Sequence, residues 1–302
     1  MTAGVTIEEQ QPLVSVLVVS HNVRGLLLDT LRALANEGWP NLEVIVVDNE
    51  SADGSAEAVG LEFPQTELIA LTQNLGYGRA NNVAFERAKG DLILLLNPDV
   101  VVSPGCVGHL VRFLQEHADA GAVGPRLVRQ DGSPDLAARR SFPTPLASFY
   151  RITGLSRLFP ASARFNRYNL GAQDAAREHE MDAGTGACLM IRRSAIDEVG
   201  LFDPDFFMYG EDLDLCYRIK AKGWKVWYAP GATAVHVKGT ATRQVPFRMR
   251  YEFHRAMWVY HCKHHAAALP PPANAAIWLG IWGRWAVLTA HAALTRDPRV
   301  SR

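Results

Sequence analysis

The residues best placed for chemistry are carboxylates at the ends of apolar runs. Asp48 follows the run Leu42–Val47 and opens the stretch Asp48-Asn49-Glu50-Ser51-Ala52-Asp53-Gly54-Ser55. At a strand tip this side chain can accept a hydrogen bond from a base imide or a ribose hydroxyl. The same stretch also suits a plain turn in which Ser or Asp caps the next helix. Asn97-Pro98-Asp99 ends the most apolar run, Asp91–Leu96. One carboxylate there can hold a divalent cation that bridges two phosphates, or simply occupy a proline turn. Between them, Asn74-Leu75-Gly76-Tyr77-Gly78-Arg79-Ala80-Asn81-Asn82 sets two glycines before a helix. Glycines allow close backbone approach, and a helix N-terminus attracts a phosphate. These glycines follow a third strand, and the first strand–helix turn reads His21-Asn22-Val23-Arg24-Gly25, so this is not the dinucleotide fingerprint.

A second constellation lies on a helix starting near Glu211. Asp212 shares a face with Leu215, Cys216 and Ile219, so it points with the apolar stripe toward the protein. A carboxylate there is costly without work or a partner. Poor solvation keeps it basic and the helix N-terminus keeps it ionised, which suits a general base. Glu211 reads as a cap or an acceptor-binding group. Asp214 and Arg218, an i,i+4 pair, read as an ordinary solvated face. His236, at a strand end, reads as a structural histidine or a ligand. Lys238 and Arg243, beside Gly239, suit closure over phosphates or a basic surface loop.

The elements that must position these residues alternate. Val14–Ser20 is a continuous β-branched run, like a strand covered on both faces. Leu26, Leu27, Leu31 and Leu34 recur at helical spacing, and Gly38-Trp39-Pro40 stops that helix. Strands are predicted at Leu42–Val47, Glu67–Thr72, Asp91–Leu96 and 120–128, with helices at about 78–89 and 105–117. This order predicts an α/β fold with a mainly parallel sheet and right-handed crossovers. Ligands bind outside the carboxyl ends of such strands. Residues 129–180 lose the periodicity and read as a partly helical insertion. From Ala187 the pattern returns: strand Ala187–Arg192, helix Ser194–Val199, helix Glu211–Lys222, strand Lys225–Tyr228.

The chain has 302 residues, 48% hydrophobic and 21% charged, which is globular composition and excludes global disorder. Lys+Arg and Asp+Glu balance at 31 each, so overall charge points to no nucleic-acid partner. The balance is uneven along the chain, because residues 243–302 hold nine basic and two acidic groups. In that segment Phe247, Tyr251 and Trp258 recur at helical spacing beside Arg248, Arg250 and Arg255. Residues 275–294 are nearly all apolar, but Arg284 interrupts them, and Trp278, Trp282 and Trp285 form a stripe. A central Arg disfavours a spanning helix. The segment reads as a helix lying in the membrane interface, with packing against the domain as the alternative. The polar N-terminus shows no secretory signal, and Cys106, Cys188, Cys216 and Cys262 fit neither a zinc pattern nor a disulfide framework. Both features predict the cytosolic side, with the protein peripheral on the inner face of the membrane.

Taken together, six motifs in order resemble the family 2 glycosyltransferases of the GT-A fold. They are Val14-Ser15-Val16 with Ser20-His21-Asn22, the Asp48–Ser55 stretch, Asn74-x-Gly76-x-Gly78-x-Ala80-Asn81, Asn97-Pro98-Asp99, Gly184-Thr185-Gly186-Ala187-Cys188, and Glu211-Asp212-x-Asp214-Leu215. The likeness is strongest to bacterial rhamnosyltransferases of cell-wall and O-antigen synthesis. The resemblance implies a catalytic domain over 1–242, with a nucleotide-sugar half at about 13–128 and an acceptor half at 181–242. It places Ser20, Asn22, Asp48, Asp53, Asn74, Gly76, Arg79, Asn97 and Lys238 around the donor. Asp99 and His236 would hold a divalent cation, Mg2+ or Mn2+, although Asn97 stands where the family's metal motif begins with Asp. Asp212 matches the catalytic base. The implied reaction is inverting transfer from a dTDP- or UDP-sugar to a glycan or polyprenyl-diphosphate-linked acceptor. A non-catalytic nucleotide-sugar-binding subunit is the alternative. A sugar-nucleotide pyrophosphorylase would need a glycine-rich, Arg-bearing first loop, which Ser20-His21-Asn22 does not supply.

Overall fold

The computed structural model describes residues 11–237 and 246–294. The chain runs β1 (Val14–Ser20), α1 (Arg24–Ala35), β2 (Leu42–Asn49), α2 (Ser55–Glu62), β3 (Glu67–Leu71), α3 (Tyr77–Phe85), β4 (Leu92–Leu96), β5 (Val100–Val102), α4 (Cys106–Glu116) and β6 (Ala120–Val128). It continues with α5 (Pro145–Ile152), α6 (Leu155–Leu158), β7 (His179–Met181), β8 (Cys188–Arg192), α7 (Arg193–Val199), α8 (Glu211–Ala221), β9 (Lys225–His236), α9 (Pro246–His264) and α10 (Pro271–Leu294). The strands form one sheet in the order β3-β2-β1-β4-β8-β6-β9-β5, with β7 paired to β9. β1 to β4, β6 and β9 run one way, and β5, β7 and β8 the other. The expected mainly parallel α/β sheet is therefore present.

Alternation along the strands divides the core. Val14, Val16 and Val18 of β1 face α1, α2 and α4, whereas Leu17 and Val19 face α3, α7 and α8. All seven residues of β1 are buried, because β2 and β4 flank it and helices cover both faces. The carboxyl ends of β1, β2 and β4 form one rim: Ser20 pairs with Asp48, and Leu96 lies beside Val18.

Three features depart from the sequence reading. β9 continues past Tyr228 to His236, because a register shift between Pro125 and Arg126 leaves Pro230, Gly231 and Ala232 out of the pairing without ending the ladder. The helix expected at 78–89 spans Tyr77–Phe85. β5 and β7 were not expected; at three residues each, they are too short to show a period. The 129–180 segment contains α5 and α6, as its partly helical reading required.

Candidate active site

Ser20 and Asp48 stand side by side at the rim. Asp48 is 4% exposed; its Oδ2 accepts the Ser51 N–H at 3.0 Å, while Oδ1 has no protein partner. Ser20 Oγ is likewise buried and unpaired. Two orphaned polar atoms on neighbouring strand tips are expensive unless a ligand satisfies them. Asn22, at φ +53°, helps shape this rim: its Oδ1 accepts the Ala52 N–H at 2.7 Å. Asp53 serves the turn, since Oδ2 takes the Arg24 N–H at 2.8 Å and Oδ1 takes the Ser55 N–H at 3.1 Å. This is the capping alternative, and these bonds fix the turn that carries Asp53.

The glycine motif also differs from expectation. The N-terminus of α3 is filled by the protein itself, for the Tyr77 N–H donates to the Phe207 carbonyl at 2.9 Å. Gly76 adopts φ +81°, ψ 173°, a conformation essentially reserved for glycine. A Cβ there would lie 2.3 Å from that carbonyl oxygen. Arg79 Nε donates to the Pro204 carbonyl at 3.0 Å, and Asn82 bonds both the N–H and the carbonyl of Phe202. Asn74 Oδ1 accepts from Asn49 Nδ2 and from the Gly76 N–H. Gly76, Arg79 and Asn74 thus bind the turn and the 202–207 loop. Their work is to clamp the loop that leads into α8.

Asp99 and His236 meet across β5 and β9. Asp99 Oδ1 lies 3.3 Å from His236 Nε2, and the Val237 N–H donates to the Asp99 carbonyl. His236 Nδ1 is 2.8 Å from Asp135 Oδ2, whose side chain is fully buried. Burial works against charge on His236, but the hydrogen bonds to Asp135 and Asp99 outweigh it and raise its pKa. Sequence reasoning missed Asp135, which lies in the aperiodic segment. Asn97 Oδ1, two positions before Asp99, is buried without a partner. Among the described residues no cluster of three or more His, Cys, Asp or Glu could hold an ion unaided. An oxygen and a nitrogen donor facing each other, with an orphaned amide oxygen nearby, do suit a small divalent cation whose other ligands are phosphate oxygens and water. Lys238 lies outside the described residues.

The base candidate sits at the start of α8. Asp212 is 8% exposed, and its Oδ2 accepts from Arg140 Nη2 at 2.7 Å and from the Gly186 N–H at 3.2 Å. Burial opposes the Arg140 charge, and Asp212 more than offsets this, so the guanidinium pKa is raised. Arg140 is a second residue that the sequence reading missed; only the doublet Arg139-Arg140 marked it. Glu211, 7% exposed, has Oε2 buried and unpaired. Burial first, and the adjacent Asp212 charge second, push its pKa up to about 8. At neutral pH Glu211 is thus largely protonated and can donate a hydrogen bond. Tyr77 bridges the two halves. Its hydroxyl donates to the Gly186 carbonyl at 2.8 Å, and its pKa is raised by burial and then by Glu211, Asp212 and Asp99.

Asp214 does not lie on a solvated face. It is 1% exposed and binds Arg218 Nε at 2.7 Å and His264 Nε2 of α9 at 2.8 Å. The sequence reading saw the i,i+4 pair but not the helix that covers it. Lys263 adds bonds to Asp203 and Asp205. The tail thus packs on the catalytic domain, and α10 packs on α9: Trp282 and Trp285 contact Tyr251, while Arg284 Nη1 lies 2.9 Å from His254 Nε2. This corrects the reading of all three tryptophans as a membrane stripe. Trp278 remains exposed, with Leu279, Val287 and Leu288.

A family model, glycosyl transferase family 2, matches residues 15–200. The N-acetylglucosaminyl-diphospho-decaprenol L-rhamnosyltransferase of Mycobacterium tuberculosis is 30% identical over 238 residues, 74% of this chain and 76% of that one. The rhamnosyltransferase WbbL of Escherichia coli is 24% identical, covering 74% and 83%. In structure, the mannosyltransferase PcManGT of Pyrobaculum calidifontis, in complex with GDP-Man and Mn2+, aligns at TM-score 0.55 and 20% identity over 96% of this chain and 76% of that one. That likeness shows the GT-A fold. A rim of unsatisfied polar groups, an Asp–His pair and a buried carboxylate on one sheet edge agree with what these comparisons establish: the chain belongs to glycosyl transferase family 2.

Proposed function

We propose that the protein transfers a sugar, rhamnose from dTDP-rhamnose, with inversion to a hydroxyl of a cell-envelope glycan or lipid-linked acceptor, with Asp212 as general base. The observation that carries this is the position of Asp212. It is buried at a helix N-terminus and held by Arg140 and the Gly186 N–H, beside a protonated Glu211. A base must be ionised and oriented before the acceptor arrives. Ser20 and Asp48 would take the base and ribose with their unpaired oxygens. Asp99 and His236 would hold a divalent cation, Mg2+ or Mn2+, which neutralises the departing diphosphate. Asp212 would take the proton as the acceptor oxygen bonds to the anomeric carbon and the carbon–oxygen bond to the diphosphate breaks. One base serves a single displacement, unlike the paired carboxylates of glycosidases.

The names of the relatives support rhamnose and a lipid-linked acceptor. No described helix is long and apolar enough to cross a membrane. The exposed apolar face of α10 supports peripheral attachment, which we place on the inner face of the cell membrane. The decisive experiment is Asp212→Asn. Donor binding should persist within about twofold, while transfer falls by roughly a thousandfold or more, the scale of losing a positioned general base. Near-normal turnover would remove Asp212 from that role.

A further inference from the structure

Beside the base lies a cavity of about 1190 Å³, walled by the 129–180 segment, the start of α8, α9 and α10. Six arginines line it: Arg129, Arg139, Arg140, Arg151, Arg157 and Arg284. Among the described residues, Asp135 is the only carboxylate in the lining, and it lies on His236. Among the described residues, Arg140 is the one arginine of the six with a carboxylate partner. The described wall is therefore cationic, with five arginines that have no carboxylate partner among the described residues. Arg151 and Arg284 make this concrete. Both line the cavity, and burial first, then the Arg151 charge, lower the pKa of Arg284.

Two further polar atoms wait on the same lining. Arg140 Nε and the Tyr260 hydroxyl are buried and unpaired, in side chains 9% and 4% exposed. The lining also carries apolar groups. Leu136 and Phe149 are more than half exposed, and Ile277 adds an apolar side chain from α10. Arginines and accessible apolar side chains on one cavity suit an amphiphile with an anionic group.

We propose that this cavity seats the acceptor and that its arginines bind a diphosphate joining the acceptor sugar to a lipid. The inference rests on the transfer reading above and deepens it by locating the acceptor. Guanidinium groups pair with phosphate oxygens through two parallel N–H donors, so one diphosphate can satisfy several of the lining donors together, the orphaned Arg140 Nε among them. Arg140 fixes the direction. It touches both the cavity and Asp212, so the sugar lies at the Arg140 end and the lipid leaves past Phe149 and Ile277.

The test is calorimetric titration of the full chain in EDTA, which prevents metal-bridged diphosphate binding at the donor site. The probes are geranyl diphosphate, geraniol and phosphatidylglycerol vesicles. Geranyl diphosphate should bind at least tenfold more tightly than geraniol. The double variant Arg151→Gln, Arg284→Gln should weaken it at least tenfold, and Arg157→Gln severalfold. Arg157 is exposed, so its substitution does not threaten folding. Equal binding of geraniol, or arginine variants within twofold of wild type, overturns the proposal. So does arginine-dependent vesicle binding without geranyl diphosphate binding, which assigns the charge to the bilayer. Titration of wild type with dTDP and Mn2+ separates the two readings. If dTDP binds and geranyl diphosphate does not, this inference alone fails; if dTDP does not bind, the transfer reading fails.

Discussion

Two buried acidic residues adjacent in sequence sit in opposite surroundings. Asp212 has a guanidinium partner, whereas Glu211 has an unsatisfied oxygen and a pKa of about 8. The folded state therefore binds an extra proton at Glu211 between its ordinary value of 4.5 and about 8. Stability from this group is greatest below that window and falls as pH rises through it. Melting temperature should therefore fall as pH rises from about 5 to about 8. Glu211→Gln, which keeps the neutral shape, should flatten that slope in a calorimetric pH series. On the donor side, Asp135 orients His236 as a carboxylate orients a metal-ligating imidazole. Asp135→Asn should weaken Mn2+ affinity roughly tenfold to a hundredfold, measured by titrating Mn2+ with dTDP present. Unchanged affinity would make Asp135 a merely structural partner.

At the scale of elements, α8 is the hub. Its first turn carries Glu211, Asp212 and Asp214, and three different neighbours fix the helix start and the last two of these side chains. α3 clamps the preceding 202–207 loop through Gly76, Arg79 and Asn82, the 129–180 segment supplies Arg140, and α9 supplies His264. The bond from α9 is buried and meets a charged group, so its loss should be felt. His264→Ala should cost about 1.5–3 kcal/mol of stability and speed tryptic cleavage at Arg248 and Arg255. Unaltered proteolysis would mean that Lys263 and aromatic packing hold α9 without it. Because α9 contributes Ala256 and Tyr260 to the same core cluster as α8, deleting residues 243–302 would disturb the site as well as any membrane contact.

Over the whole molecule, net neutrality conceals a division. The excess acid lies before residue 243 and the excess base after it, and the structure folds the basic tail back onto the acidic domain through Lys263 and His264. Part of the tail's charge is thus spent internally, while Arg284 turns toward the cavity. What remains for a membrane is the outer apolar face of α10. Leu279→Glu with Val287→Glu, both more than 60% exposed, should release the protein from anionic vesicles in a flotation assay without lowering its melting temperature. Retained flotation would place the attachment elsewhere.

The sequence by itself determined the α/β order and the rim at the carboxyl ends of β1, β2 and β4, and it brought forward Ser20, Asp48, Asp99 and Asp212 as candidates. Strand and helix periods are local, and a strand tip is where an apolar run stops. It did not show the contacts of Gly76 and Arg79, whose spacing suits a phosphate as well as it suits a carbonyl from a distant loop. Only the tertiary structure decided the partners. Arg140 meets Asp212 across 72 positions, Asp135 meets His236 across 101, and Asp214 meets His264 across 50. Two of these partners come from a segment without periodicity and the third from the tail, so no local pattern marks them. Whether a buried carboxylate is ionised or neutral depends on the charge packed against it, which chain order does not state.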